Sequence, residues 1–179
     1  VNTAGATLRK WLMAGAKEGD HEVVTYLPIL RDINYPPILH WLATHYIYPL
    51  KNVDDCKHFQ QLNNALVMPL CHDGVAYINN HWYGIQLRNF GKAGPKYLTK
   101  TKTSTTYGAW FSEGIERVSN TLVITEDYTS AYRIFRDTPH TALALLTTTA
   151  NASTLAKIKA YHFDFIFVWL DNDEAGLRG

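Results

Sequence analysis

Apolar positions change their period twice along the chain. Leu8, Trp11 and Leu12 recur at helical spacing, and Ile38, Leu39, Trp41, Leu42 and Tyr46 repeat the pattern after the pair Pro36-Pro37, which suits the first turn of a helix. Both stripes read as core-facing helix surfaces. From Leu66 the pattern shortens to runs rich in Val, Tyr, Ile and Trp, separated by Asp73-Gly74 and Asn79-Asn80. Leu66–Leu70, Val75–Ile78 and Trp82–Leu87 therefore predict a β-meander, and Gly91 to Lys102 an extended, solvent-exposed loop. The last sixty residues alternate: strand 121–125, helix 128–136, strand 142–146, helix 153–161, strand 165–170. Continuous apolar strands separated by short helices predict a parallel sheet covered on both faces.

Composition bounds what this pattern can build. Of 179 residues, 46% are hydrophobic, 13% aromatic and 18% charged, which excludes a disordered, collagenous or coiled-coil chain. A fold of this length buries about 70% of the surface its unfolded chain exposes, so no disulfide or metal staple is needed. Two cysteines, Cys56 and Cys71, read as those of a reduced, cytoplasmic protein, although a disulfide stays open. The longest strongly apolar run, Phe165 to Leu170, is far shorter than the ~18 residues of a membrane span. No membrane partner is expected. The chain begins at Val1 and stops where a helix is predicted to open, which reads as part of something longer, cut short at the C-terminus.

The formal charge of +1 conceals a segregation. Between Gly74 and Ser112 there is no Asp or Glu, while Arg88, Lys92, Lys96, Lys100 and Lys102 all fall there. Acidic flanks enclose this basic middle. In parallel sheets the functional crevice lies beyond the carboxyl ends of the strands, which singles out Glu126 after the first strand and Asp171 and Asp173 after the third. Right-handed crossovers would bring these ends to one edge. Oxygen donors without His or Cys suit Mg²⁺ or Mn²⁺, hence phosphoryl or nucleotidyl transfer. The plainer reading is equally open: Glu126, Asp127 and Asp173 would sit at helix N-termini, where carboxylates are favourable.

Leu122-Val123-Ile124-Thr125-Glu126 and Val168-Trp169-Leu170-Asp171-Asn172-Asp173-Glu174-Ala175-Gly176 resemble the two acidic motifs of the Toprim fold of primases and topoisomerases. Upstream, Met68-Pro69-Leu70, Gly84-Ile85-Gln86-Leu87-Arg88 and Gly94-Pro95-Lys96-Tyr97-Leu98 resemble the basic subdomain of DnaG-type primases, and Tyr26-Leu27 with Arg31-Asp32-Ile33 a weaker, earlier element. The resemblance runs over residues 24–179 in the family's order. It implies an α+β basic subdomain over 1–118, followed by a partial α/β Toprim domain, Rossmann-like with a parallel sheet, over 119–179. Glu126, Asp171 and Asp173 would hold catalytic Mg²⁺. Arg88, Lys92, Lys96, Lys100 and Lys102 would meet template or nucleotide phosphates, with Tyr97 packed nearby.

The implied activity is RNA primer synthesis on a single-stranded DNA template from NTPs, in a bacterial cell or phage-infected host, with a replicative helicase fused or separate. Departures are specific. Asp127 stands where the family commonly has Gly, Ser130 where it has a second acid, and Thr147-Thr148-Thr149 where a Gly-containing loop is usual. A phage or mobile-element primase would account for such divergence. Two alternatives keep part of the reading: a Toprim nuclease or topoisomerase fragment, and a non-catalytic single-strand-binding module. Cys56, His58, Cys71 and His72 lack a standard zinc spacing. Gly91-x-x-Gly94-Pro95-Lys96 lacks the Walker-A pattern and reads as a turn presenting lysines. Trp82 and Trp110 flank the basic segment and could stack on bases. If all five cations contact phosphates, the logarithm of the affinity for single strands falls with log salt at a slope of about −3.5. A binding titration between low and moderate salt reads that slope directly, and a flat line removes the phosphate-tracking role.

Overall fold

The computed structural model describes residues 33–71, 77–78, 81–82, 84–92, 94–101, 108–112 and 119–172. The predicted helix around Leu8 to Leu12 and the element around Tyr26 to Asp32 lie outside them. The described chain is mixed α/β and forms two compact units. One contains the described residues up to Leu70 and those from Tyr77 to Thr101; the other contains Cys71 and the described residues from Gly108 onward. The division falls earlier than the expected 118/119 boundary because the strand at 109–111 pairs inside the second unit. Among the described residues no helix is long and apolar enough to cross a membrane.

In the first unit, α1 (Pro36–Thr44) opens with prolines in its first turn and buries Ile38 and Leu42, an i, i+4 pair on one face. No side chain of its own caps the start. Instead the Gln61 Oε1 accepts the Asn34 and Tyr35 amides at 2.9 and 3.1 Å. α2 (Val53–His58) is capped by Asn52, which accepts the Asp55 amide at 2.9 Å, while Asp55 accepts the Lys51 amide at 2.6 Å. This reciprocal arrangement, close to a capping box, stabilises a helix too short to persist alone.

The strands β1 (Gln60–Leu62), β2 (Ala65–Pro69), β5 (Gly84–Asn89) and β6 (Tyr97–Thr101) form an antiparallel sheet in the order β1-β2-β5-β6. The meander expectation is corrected: β2 pairs directly with β5, Val67 opposite Leu87, while β3 (Tyr77–Ile78) and β4 (His81–Trp82) close on each other as a separate hairpin. The expected loop is corrected too. Residues 97–101 pair with β5, Arg88 opposite Tyr97, and only the glycine-containing segment before them is a turn. Gly94 there adopts φ +90°, and the Asn89 side chain accepts the Gly91 amide at 2.9 Å.

The second unit contains β7 (Ala109–Phe111), β8 (Thr121–Thr125), α3 (Tyr128–Asp137), β9 (Thr141–Ala144), α4 (Ala152–Ala160) and β10 (Phe165–Trp169), with sheet order β10-β8-β9-β7. β8 pairs in parallel with both β9 and β10, as the alternation predicts. The all-parallel expectation fails at β7, which runs antiparallel to β9 and is too short to show a period of its own. Alternate side chains of the sheet enter different cores. Trp110, Leu122, Ile124, Leu143 and Leu145 pack with Ile158 of α4, whereas Phe111 meets Tyr128, Tyr132 and Phe135 of α3 at ring separations of 5.1–6.0 Å.

Coverage on both faces therefore holds for the middle of the sheet but not for β10, whose five residues are 46–71% exposed. Among the described residues β10 is an edge strand with β8 as its sole neighbour. The α4 cap is Asn151, whose side chain accepts the Thr154 amide at 2.8 Å.

Gly108 leads into β7 at φ +105°, and a Cβ there would lie 2.8 Å from the Ala144 carbonyl oxygen. A left-handed backbone facing another main chain leaves nothing flexible to yield. Gly108→Ala is expected to lower stability by about 1–3 kcal/mol in urea denaturation, with Ala109→Gly as the control.

Candidate functional site

The parallel register Trp169↔Thr125 between β10 and β8 sets the candidate site. It brings Glu126, one residue past β8, and Asp171, two residues past β10, to the same edge of the sheet. Glu126 is half-buried and its carbonyl accepts the Leu146 amide at 2.8 Å; Asp171 is exposed. Asp173 lies outside the described residues. Thr125, Asp127, Ser130, Arg133, Trp169 and Asp171 line a cleft of about 320 Å³ against α3. Side-chain alternation explains the membership. Thr125 and Asp127 share one face of the extended chain, as do Trp169 and Asp171, whereas Leu170 packs in the core beneath α4. Asp171 thus shares its cleft with Asp127, and Glu126 does not line it.

Asp127 is the N-cap of α3. Its Oδ2 accepts the Ser130 amide at 2.9 Å and the Thr129 hydroxyl at 2.6 Å, and its backbone is extended, with φ −98° and ψ 155°. The strand-to-helix turn is made here without a glycine, because the carboxylate satisfies orphan donors of the first turn. Ser130 supplies the amide of that cap, so two of the three departures noted in the sequence take part in one local structure. At the other end of the helix Asp137 is held by Arg136 at 2.8 and 3.0 Å.

Among the described residues no group of three or more His, Cys, Asp or Glu side chains gathers closely enough to hold a metal ion. The donor chemistry at the edge nevertheless fits a hard divalent cation: carboxylates with Ser and Thr hydroxyls, and no His or Cys lining the cleft. Asp171 is the described residue of the expected set that lines the cleft and could hold one, and Glu126 stands at the same sheet edge outside that lining.

The basic residues belong to the first unit. Arg88 donates from Nη1 to the Asn89 carbonyl at 2.6 Å, and its guanidinium carbon lies 4.5 Å from the Phe90 ring centroid and 5.2 Å from that of Tyr97. Tyr97 thus packs on the cation opposite it in the ladder. Lys92 and Lys96 are exposed on the turn between β5 and β6, and the Lys96 ammonium is 5.8 Å from the Tyr97 ring. Lys100 lies in β6, its side chain outside the described atoms, and Lys102 lies outside the described residues altogether.

Trp110 is 2% exposed beneath α4, with Lys157 5.0 Å from its ring, which excludes it as a base platform; the Trp82 side chain lies outside the described atoms. Cys56 and Cys71 form no disulfide. Burial pushes the Cys71 thiol far above the usual cysteine range, against the opposing effect of a hydrogen bond with Tyr128, so it is no ready thiolate ligand. Sequence reading missed Arg133, one of two arginines in the amphipathic α3, which gave no signal of its own.

The fold is a mixed α/β one with carboxylates beyond the ends of adjacent parallel strands. No protein-family model and no curated protein matches the chain. Among solved structures it is similar to the primase fragment of the bacteriophage T7 primase-helicase protein, at 19% identity over 67% of this chain and 49% of that one, with a TM-score of 0.46. It is similar to the zinc-binding and RNA polymerase domains of the Aquifex aeolicus primase, at 13% identity over 95% of this chain and 44% of that one, TM-score 0.47. The DnaG primase catalytic domain bound to ssDNA gives 15% identity over 97% and 56%, TM-score 0.46. The chain spans about half the length of these structures.

The cap assigns Asp127 a test of its own. Asp127→Ala is expected to destabilise the chain by about 1 kcal/mol, and Asp127→Asn by much less, in denaturant titrations with and without Mg²⁺. A loss confined to the Mg²⁺ titration would instead make Asp127 a metal ligand.

Proposed function

We propose that the chain is the catalytic core of a DNA primase of the Toprim type, synthesising short RNA primers on single-stranded DNA. The observation that carries this reading is the parallel register of β8 and β10, which delivers the acids of two sequence motifs, Glu126 and Asp171, to one sheet edge. Residues 45 positions apart in the sequence thereby follow the ends of neighbouring strands. Asp173 would complete the donor set. Mg²⁺ held by these carboxylates would neutralise charge developing on the reacting phosphates.

The 3′-hydroxyl of one nucleotide attacks the α-phosphate of the next NTP, forming a phosphodiester bond and expelling pyrophosphate. Little covalent work falls to the protein in such a transfer, so its residues act by position and charge. Arg88 and Lys96 contact phosphates of template or nucleotide. Arg88 is preorganised for this by Phe90 and Tyr97, which hold the guanidinium in place and reduce the freedom it must lose on binding. Lys92, Lys100 and Lys102 extend the cationic path. The setting is replication in a bacterial cell or phage-infected host, by a phage or mobile-element enzyme working with a helicase.

Template-directed dinucleotide synthesis from labelled NTPs with Mg²⁺ or Mn²⁺ tests the reading. Asp171→Ala and Glu126→Ala are each expected to reduce product at least about a hundredfold, as loss of an electrostatic stabiliser does. Asp164→Ala, at the opposite end of β10, should leave it unchanged. Scission of the labelled template in place of synthesis would make the chain a nuclease, and strand binding with neither reaction a binding module.

A further inference from the structure

Two of the chain's acid-free stretches supply residues to the first unit: most of the basic middle from Gly74 to Ser112, and the shorter one from Ile33 to Val53, which includes α1. Within that unit they join through aromatic rings. His45 stacks on Trp41 at 4.0 Å with 30° between the planes, and Trp41 meets Phe90 edge-on at 6.2 Å. The Arg88 guanidinium lies over Phe90 and faces Tyr97, and the Lys96 ammonium is 5.8 Å from the Tyr97 ring. The result is one series of contacts in which three rings, His45, Trp41 and Phe90, lead to Arg88, Tyr97 and Lys96.

The series is not core. The face of α1 that is buried carries Ile38 and Leu42, and Trp41 stands beside it, half-buried. Burial along β5 falls from buried at Gly84–Gln86 to half-buried from Leu87 onward, so Arg88 and Phe90 lie where the sheet emerges. Tyr97 is 43% exposed, and Tyr46, next to His45, 70%. An acidic peptide would satisfy the cations but leave the flat rings without a counterpart. A single-stranded polynucleotide supplies both, one anion and one π-face per residue, and the segments that carry these rings and cations hold no acid to repel it.

We propose that Trp41, Phe90 and Tyr97, with Arg88 clasped between the last two, form a base-stacking strip for single-stranded nucleic acid that extends the binding surface onto α1. The inference rests on the reading of Arg88 and Lys96 as phosphate contacts. It gives Trp41, whose helical spacing marks it as core, a place against the strand. It also separates two kinds of affinity on one surface: the cations answer to phosphates and salt, the rings to bases.

Fluorescence anisotropy of the full chain with labelled oligothymidylate of about 12 nucleotides, and with an abasic strand of equal phosphate count, distinguishes them. Trp41→Leu, which keeps apolar volume, is expected to weaken oligothymidylate binding roughly tenfold, leave the abasic strand unaffected and preserve the salt slope. Trp41→Phe should restore most of the loss. Lys96→Gln should weaken both strands and reduce the slope by about 0.7. A Trp41→Leu protein that keeps the wild-type preference for bases over abasic sites overturns the strip, as does a Trp41→Phe protein that loses as much as Trp41→Leu. Salt-dependent wild-type binding that does not distinguish the strands removes the strip and spares the cations; no salt-dependent binding to either removes both.

Discussion

The parallel pairing of β8 on both sides constrains everything else in the second unit. All five of its residues are buried, and its two ladders fix β9 and β10 in direction and register. Because side chains alternate, this register also decides which residues enter which core: Leu122 and Ile124 go toward α4 and Val123 faces the other way. A slip of one residue would send Trp110 and Phe111 to the wrong faces and move Asp171 away from Thr125. The ladder thus determines both packing and the placement of the candidate carboxylates.

Much of this was legible in the residues, and the reasons are specific. Strands β8 and β10 are apolar at nearly every position and α3 and α4 lie between them, so type and order followed from period alone, and the carboxylates followed from the strand ends. Short elements were not legible. β7 has three residues, β1 has three, and β3 and β4 two each, too few for any period to show. Tyr97–Thr101 was hidden by its neighbours, because glycine and proline just before it gave the entire segment the texture of a loop, whereas cross-strand pairing with β5 decided the outcome. Asp127 was read from sequence as a helix N-terminal acid, and its hydrogen bonds to Thr129 and Ser130 give it that place. Which acids share a cleft could not be read either, since that depends on side-chain parity after the last ladder bond.

In the first unit the same lesson applies to charge. A net charge near zero says nothing about a partner, yet the acid-free stretches reveal where an anion could approach. The sheet converts one of them into a surface by placing Arg88 opposite Tyr97, and α1 supplies further rings. Gln61 has an indirect part in this: by accepting the amides ahead of Pro36 it sets where the helix starts, and hence which turn brings Trp41 against Phe90.

β10 introduces a tension between chemistry and handling. Phe165 to Trp169 are all exposed, along a strand that among the described residues has a neighbour on one side only. Such an edge offers unpaired backbone groups and apolar side chains together, the combination that recruits further strands. Self-association of the purified chain would begin there and would bury the strand that carries Asp171. Concentrated preparations would then lose access to the candidate carboxylates before they lost fold, and charged residues on the β10 surface, away from Trp169, are the natural place to improve solubility without disturbing β8.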